Sequence, residues 1–242
     1  MEYAIEINNV TKEFKNCKAL NSISLSIEKG EFVTLLGENG AGKSTLIKIL
    51  CGIISPSFGS AKIYGYDINK EFNKISEIIN VSPQETAVSN NLSVKENLEF
   101  LCGIYGLTKE QTRSKVDYLI EKIKLEEYKY RKAKTLSGGY QRRLSIALSL
   151  INEPKVLFLD EPTLGLDVRA RRELWNVIRE LKGKTTLILT THYLEEAEAL
   201  SDKVYVLDKG EIRAVGTSEE LKKETNTKTL EDAFLKIVGA IS

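Results

Sequence analysis

The stretch GENGAGKS, Gly37 to Ser44, constrains the fold of this chain more than any other. It satisfies G-x-x-x-x-G-K-[ST] and lies between an apolar run, Phe32 to Leu36, that reads as a strand, and KSTLIKILCG, whose Leu46, Ile47 and Leu50 have helical spacing before Gly52. Glycines 37, 40 and 42 let the backbone curl so that its N–H groups face phosphate oxygens. Lys43 then reaches the terminal phosphates and Ser44 is placed to ligate magnesium. The candidate nucleotide-binding set is Gly37, Asn39, Gly40, Ala41, Gly42, Lys43, Ser44 and Thr45.

Two further stretches carry chemistry. In VLFLDEPT an apolar strand ends in an acidic pair, which puts Asp160 where it can hold Mg²⁺ and Glu161 beside it as a candidate general base toward water. Taken alone, such a pair is a solvated strand end; with a phosphate-binding loop upstream, the functional reading takes precedence. In LSGGYQRRLS, Ser137, Gly138 and Gly139 open an amphipathic helix and offer free N–H groups and a hydroxyl, a second anion site. One chain therefore carries two places to hold phosphate.

Strand-sized segments are expected at Tyr3 to Asn8, Ser22 to Ile27, Phe32 to Leu36 and Ala61 to Tyr64, so the first third reads as strands and turns around the glycine-rich loop. From about Glu85 to Lys134 the chain turns polar and helical, with capping-box signals at Ser93/Glu96 and Thr108/Gln111, and reads as an inserted helical subdomain. Strands at Val156 to Leu159, Thr185 to Thr190 and Val204 to Leu207 then alternate with helices from about Gly139, over Val168 to Leu181 and over Tyr193 to Leu200. Such alternation argues an α/β fold with a mostly parallel sheet. The last segment, Ser218 to Ser242, reads as two short amphipathic helices.

Composition narrows the partners. Lys+Arg of 35 nearly balances Asp+Glu of 34, which gives no electrostatic footprint for nucleic acid. Arg142, Arg143, Arg169, Arg171 and Arg172 read as solvated helix faces. The three cysteines, Cys17, Cys51 and Cys102, lack metal-ligand spacing and read as buried thiols in a reducing compartment. The start, MEYAIEINNV, has no signal-peptide pattern, and no run approaches the roughly 20 apolar residues of a membrane span. If the protein acts at a membrane, another chain spans it.

With five motifs in order, GENGAGKST, VSPQE, LSGGYQRR, LFLDEPTLGLD and TTH, the chain resembles the nucleotide-binding subunit of an ABC transporter over nearly its whole length. The resemblance implies a P-loop NTPase (RecA-like) core at 1–84 and 154–217, with an antiparallel β subdomain, a helical subdomain at about 85–153 and a helical tail at 218–242. It implies ATP and Mg²⁺ as cofactors, and a head-to-tail dimer in which Ser137, Gly138 and Gly139 of one chain meet the γ-phosphate held by Lys43 of the other. That is why one chain would need two anion sites.

By the same resemblance, Gln84 senses magnesium and the attacking water, His192 contacts the γ-phosphate and orients water, and Asp167 crosses the dimer interface. Phe14 stands where the family has an aromatic that stacks on adenine; read from position alone, it is equally strand core. Tyr140 departs from the family's usual glutamine, and GLD at Gly165 to Asp167 replaces the commoner ALD. The implied partners are a transmembrane permease and a second ATPase subunit, at the cytoplasmic side of the membrane. The ending TLEDAFLKIVG resembles ATPases that serve exporters, which argues export over import. Two alternatives remain: a soluble ABC ATPase, for example in iron–sulfur assembly, and a regulatory module without hydrolysis.

Overall fold

The computed structural model describes residues 2–240. Strands β1 (Tyr3–Phe14), β2 (Cys17–Glu28), β4 (Phe58–Ile63) and β5 (Tyr66–Asp67) form an antiparallel sheet in the order β2-β1-β4-β5. Strands β3 (Phe32–Leu36), β6 (Ile79–Ser82), β7 (Val156–Asp160), β8 (Thr186–Thr191), β9 (Lys203–Asp208) and β10 (Glu211–Gly216) form a second sheet in the order β10-β9-β3-β8-β7-β6. Its ladders are parallel except that between β9 and β10. The central strands FVTLL and TLILTT are buried at every position, as a sheet covered on both faces requires.

Helices α1 (Lys43–Leu50) and α2 (Phe72–Ile78) share one apolar cluster with the antiparallel sheet and one face of the parallel sheet, through Ile5, Leu35, Leu46, Phe158 and Ile188. A second cluster joins α3 (Val94–Ile104), α4 (Lys109–Lys122), α5 (Gly138–Ser149) and α6 (Val168–Arg179) to the other face through Leu157, Leu159 and Leu187. A third gathers α7 (Leu194–Leu200), α8 (Ser218–Glu224) and α9 (Leu230–Ile237) against β9.

Both expected capping boxes form: Glu96 N–H donates to Ser93 Oγ at 3.2 Å and Ser93 N–H to Glu96 Oε2 at 2.7 Å, with the same exchange between Thr108 and Gln111. A third, unanticipated box starts α8 at Thr217 and Glu220. The strand-and-turn reading of the first third omitted α2, and β5, β6 and β10 were also unanticipated, all being too short or too mixed to show a period. Nor are all the thiols buried. Cys17 is exposed on the first hairpin, Cys51 is half-buried and Cys102 is buried. Among the described residues no helix is long and apolar enough to cross a membrane.

Parallel strands end on one edge, and this edge assembles the site. Leu36 of β3 is level with Thr191 of β8, Asp160 of β7 with Thr190 of β8, and Ser82 of β6 with Leu159 of β7. The glycine-rich loop, the Gln84 loop, Glu161 and His192 follow β3, β6, β7 and β8 at that edge, whereas Ser137 to Gly139 open α5 away from it.

Candidate active site

At the end of β3 the chain enters its glycine-rich loop, where three glycines are required for different reasons. A Cβ on Gly37 would lie 2.3 Å from the Leu207 carbonyl oxygen, while Gly40 and Gly42 have φ of 87° and 106°. Gly42 also packs against Ala19, whose carbonyl oxygen would be 2.7 Å from an added Cβ. No side chain caps the start of α1, so its first N–H groups stay free for an anion.

Lys43 is buried under this loop, its amine donating to the carbonyls of Gly37 at 2.7 Å and Glu38 at 3.1 Å and lying 3.5 Å from Glu161 Oε1. Ser44 Oγ donates to Asp160 Oδ1 at 3.2 Å, and Thr190 Oγ1 donates to the same carboxylate oxygen. Glu161 has φ of 49°, a left-handed conformation costing on the order of 1–3 kcal/mol for a residue with a side chain. Its N–H is held at 3.1 Å by both the carbonyl and hydroxyl oxygens of Thr190. His192 Nδ1 approaches Glu161 Oε2 to 2.7 Å without a hydrogen bond, and neither atom has a hydrogen-bond partner among the described residues.

These groups line a cleft of about 220 Å³ with Asn39 to Thr45, Gln84 and Leu164. The structure thus brings together Lys43, Ser44, Glu161, His192 and Gln84, with Asp160 at its floor through Ser44. It keeps a second group apart. Ser137, Gly139 and Asp167 line a separate hollow of about 260 Å³ with Tyr140, Arg143, Arg169 and Glu173. Gly138 is exposed beside it, and the start of α5 has no side-chain cap. Asp167 caps α6 by accepting from Ala170 N–H at 2.9 Å.

Phe14 is 48% exposed at the tip of the first hairpin, with the Lys12 amine 5.2 Å from its ring centroid, so it is not strand core. Around the hollow, Tyr140 stacks on Tyr128 with centroids 4.3 Å apart, and Arg143 lies over Tyr140 at 5.1 Å while pairing with Glu173 at 2.5 Å. Arg169, hydrogen-bonded to Glu173, and Arg143 hold that carboxyl below its usual range.

Arg142 and Arg143 are therefore not solvated: they are 5% and 6% exposed. Their polar partners are carbonyls and a carboxylate distant in sequence, which a helical-face reading does not reveal. Arg171 is half-buried over the Tyr193 ring at 4.3 Å, while Arg169 and Arg172 are exposed as expected. Sequence reasoning also missed Thr190, which fixes both acidic residues. Thr190 is one of three threonines in the strand TLILTT, which gives no local signal that sets it apart.

A family model described as ABC transporter matches residues 20–164. The chain is 41% identical over 241 residues to the doxorubicin resistance ATP-binding protein DrrA of Mycobacterium tuberculosis, covering 98% of this chain and 71% of that protein. It is 38% identical over 239 residues to the daunorubicin resistance ATP-binding protein DrrA3 of Streptomyces coeruleorubidus, covering 98% and 75%. It spans only 13% of the ATP-binding cassette sub-family A member 17 of Rattus norvegicus, at 38% identity over 91% of this chain. Among solved structures, an ATP-binding cassette in a dimeric post-hydrolysis state bound to ADP and Pi superposes with a TM-score of 0.79 at 28% identity, over 88% of this chain and 98% of that one.

Proposed function

Because the chain belongs to the ABC transporter family as an ATP-binding domain, we propose that it hydrolyses ATP as a subunit that closes head to tail on a second ATPase subunit and drives a separate permease, in the direction of export. The observation that carries this reading is the division of phosphate-binding groups into two places. Lys43, Ser44, Glu161, His192 and Gln84 share one cleft, and Ser137, Gly139 and Asp167 share another hollow.

The donor set fits a magnesium nucleotide. Ser44 and Asp160 offer adjacent oxygens of the kind a hard cation takes, and among the described residues no cluster of three or more acidic, His or Cys side chains would hold a metal without phosphate. When bound, magnesium supplies charge neutralisation across the phosphate oxygens. The free N–H groups at the start of α1 bind the phosphates, and Lys43 exchanges its loop carbonyls for terminal phosphate oxygens. Glu161, anchored by Thr190, takes the proton of the attacking water. His192 and Gln84 orient that water, and Phe14 stacks on the base.

The hollow acts on a partner's nucleotide. Exposed Ser137 and Gly138, at an uncapped helix start, place a partial positive charge where a partner's γ-phosphate arrives, so ATP and ADP are distinguished by whether that phosphate is present. Asp167 lies in the same surface. Hydrolysis then removes part of what holds the dimer closed. The names of the DrrA relatives as drug-resistance ATP-binding proteins, and the exporter-like ending, support export.

The test is affinity capture of the tagged Glu161→Gln protein from detergent-solubilised cells with ATP and magnesium. Recovery of a polytopic membrane protein supports the transporter reading. Recovery of only soluble assembly or ribosomal proteins overturns the permease partner while leaving the ATP site intact.

A further inference from the structure

Helix α5 starts at the hollow and runs along β6, the edge strand that leads into Gln84. Three residues stitch them together. Arg142 donates from Nη1 to the Pro83 carbonyl at 2.7 Å and from Nη2 to the Gln84 carbonyl at 2.6 Å. One turn on, the Ser145 and Ser82 hydroxyls are 3.2 Å apart. Just past the helix, Asn152 donates to the Ile79 carbonyl at 3.1 Å and accepts from Asn80 at 2.8 Å.

Arg142 is the costly member. It is 5% exposed and makes no ion pair among the described residues. Burial depresses its affinity for a proton, opposed only by the more distant charges of Asp160 and Glu196. Burying an unpaired guanidinium is expensive unless its hydrogen bonds are made, and a leucine at this place would meet no such cost. What the guanidinium alone supplies is a planar fork that grips two consecutive carbonyls, which fixes the direction in which the backbone leaves β6. Lysine has the charge without the fork.

We propose that Arg142 is a positioning residue that sets the Gln84 loop from the helix carrying Ser137, Gly138 and Gly139, so that the hollow offered to a partner's nucleotide and the cleft holding this chain's own nucleotide move as one piece. The inference rests on the proposed role of Gln84 in the cleft. It deepens that role by naming what aims the side chain, and by making engagement of α5 at one nucleotide felt at the other.

The test is a double-mutant cycle on steady-state ATPase activity of the full chain, with Arg142→Lys, Gln84→Ala and the pair, each checked by thermal melting. Arg142→Lys is expected to lower kcat about tenfold with KM for ATP within about twofold, the signature of a misaimed group and not a lost binding contact. In the Gln84→Ala background the same change is expected to cost less than about twofold, because there is no side chain left to aim. An Arg142→Lys loss of equal size in both backgrounds overturns the inference, as does unchanged kcat or a loss that merely follows the melting temperature. Full activity of Gln84→Ala alone overturns the reading of Gln84 and this inference with it. Absence of ATP hydrolysis by the parent overturns the enzyme reading altogether.

Discussion

The cleft at the strand ends and the hollow at the head of α5 are both proposed to address phosphate, yet they are built in opposite ways. In the cleft, Lys43 and Glu161 have side chains only 5% and 7% exposed, and each charge is answered from within the chain. In the hollow, Ser137 and Gly138 are exposed and the helix start is left uncapped, while the polar side chains around it, Arg143, Glu173 and Arg169, are occupied with one another. A site that performs chemistry holds its charges in fixed places out of water, and a surface that must meet another molecule keeps its donors free. The contrast says which variants should fail alone and which should fail only in company.

The largest effect belongs to the cleft. Glu161→Gln removes the base but preserves shape, and steady-state turnover is expected to fall by about 10²–10⁴-fold, the range for positioned proton transfer. The same variant should accumulate as an ATP-held dimer in size-exclusion chromatography with light scattering. A variant that turns over like the parent would remove Glu161 from the mechanism and break the comparison at its stronger half.

Gly138→Asp tests the weaker half. A Cβ at Gly138 meets only Leu166 at 3.7 Å, so the change fits the fold, but it sets a negative charge where a phosphate should arrive. ATP affinity of the isolated chain, measured by calorimetry, should stay within about twofold, while turnover falls about 100-fold, the loss typical of a removed anion-stabilising donor. Mixing Gly138→Asp with Lys43→Ala chains sharpens the point. In a head-to-tail dimer the mixed pair keeps one cleft and one hollow intact and facing, so activity should return to about a quarter of the parent's when the chains assort randomly. No recovery on mixing would mean that the hollow does not serve a partner's cleft.

The third prediction separates nucleotide contact from structure. Phe14→Ala should raise the KM for ATP about tenfold, within the range of base–aromatic stacking, and leave the melting temperature unchanged because the ring is exposed. Had the ring been core, truncation would cost about 3–5 kcal/mol of stability instead.

The sequence shows the cleft far better than the hollow for a physical reason. Cradling phosphate demands particular residues at contiguous positions, so Gly37 to Ser44 and the strand-ending Asp160 and Glu161 announce themselves, and parallel pairing then brings them to one edge. The supports of both sites are not contiguous. Arg142 grips carbonyls 58 and 59 residues away, and Arg143 reaches a carboxylate 30 residues away. One hint was present, since Arg142, Ser145 and Ser149 recur at helical spacing, and the structure buries all three. Phe14 was undecidable because bulges between Ile7 and Glu13 break the alternation that would have assigned its face. Short elements such as α2 and β10 borrow their stability from packing and leave little local pattern.

The smallest expected effect comes from Tyr140, where the chain departs from the family's common glutamine. Its ring joins Tyr128, beyond α4, to Arg143 on α5, which in turn holds Glu173 on α6, so it fastens the rim of the hollow without entering the cleft. Tyr140→Gln gives up one aromatic pair, about 0.5–1.5 kcal/mol. For a chain of this size that lowers the melting temperature by about 1–6 °C. The backbone donors of Gly138 and Gly139 and the hydroxyl of Ser137 survive the change, so kcat should fall by less than about threefold, with KM for ATP unmoved because this chain's own nucleotide is bound elsewhere. A fall as large as that of Gly138→Asp would instead make the Tyr140 ring part of what meets the partner's nucleotide. The hollow would then share the cleft's reliance on a fixed side chain, and its difference from the cleft would shrink to one of exposure.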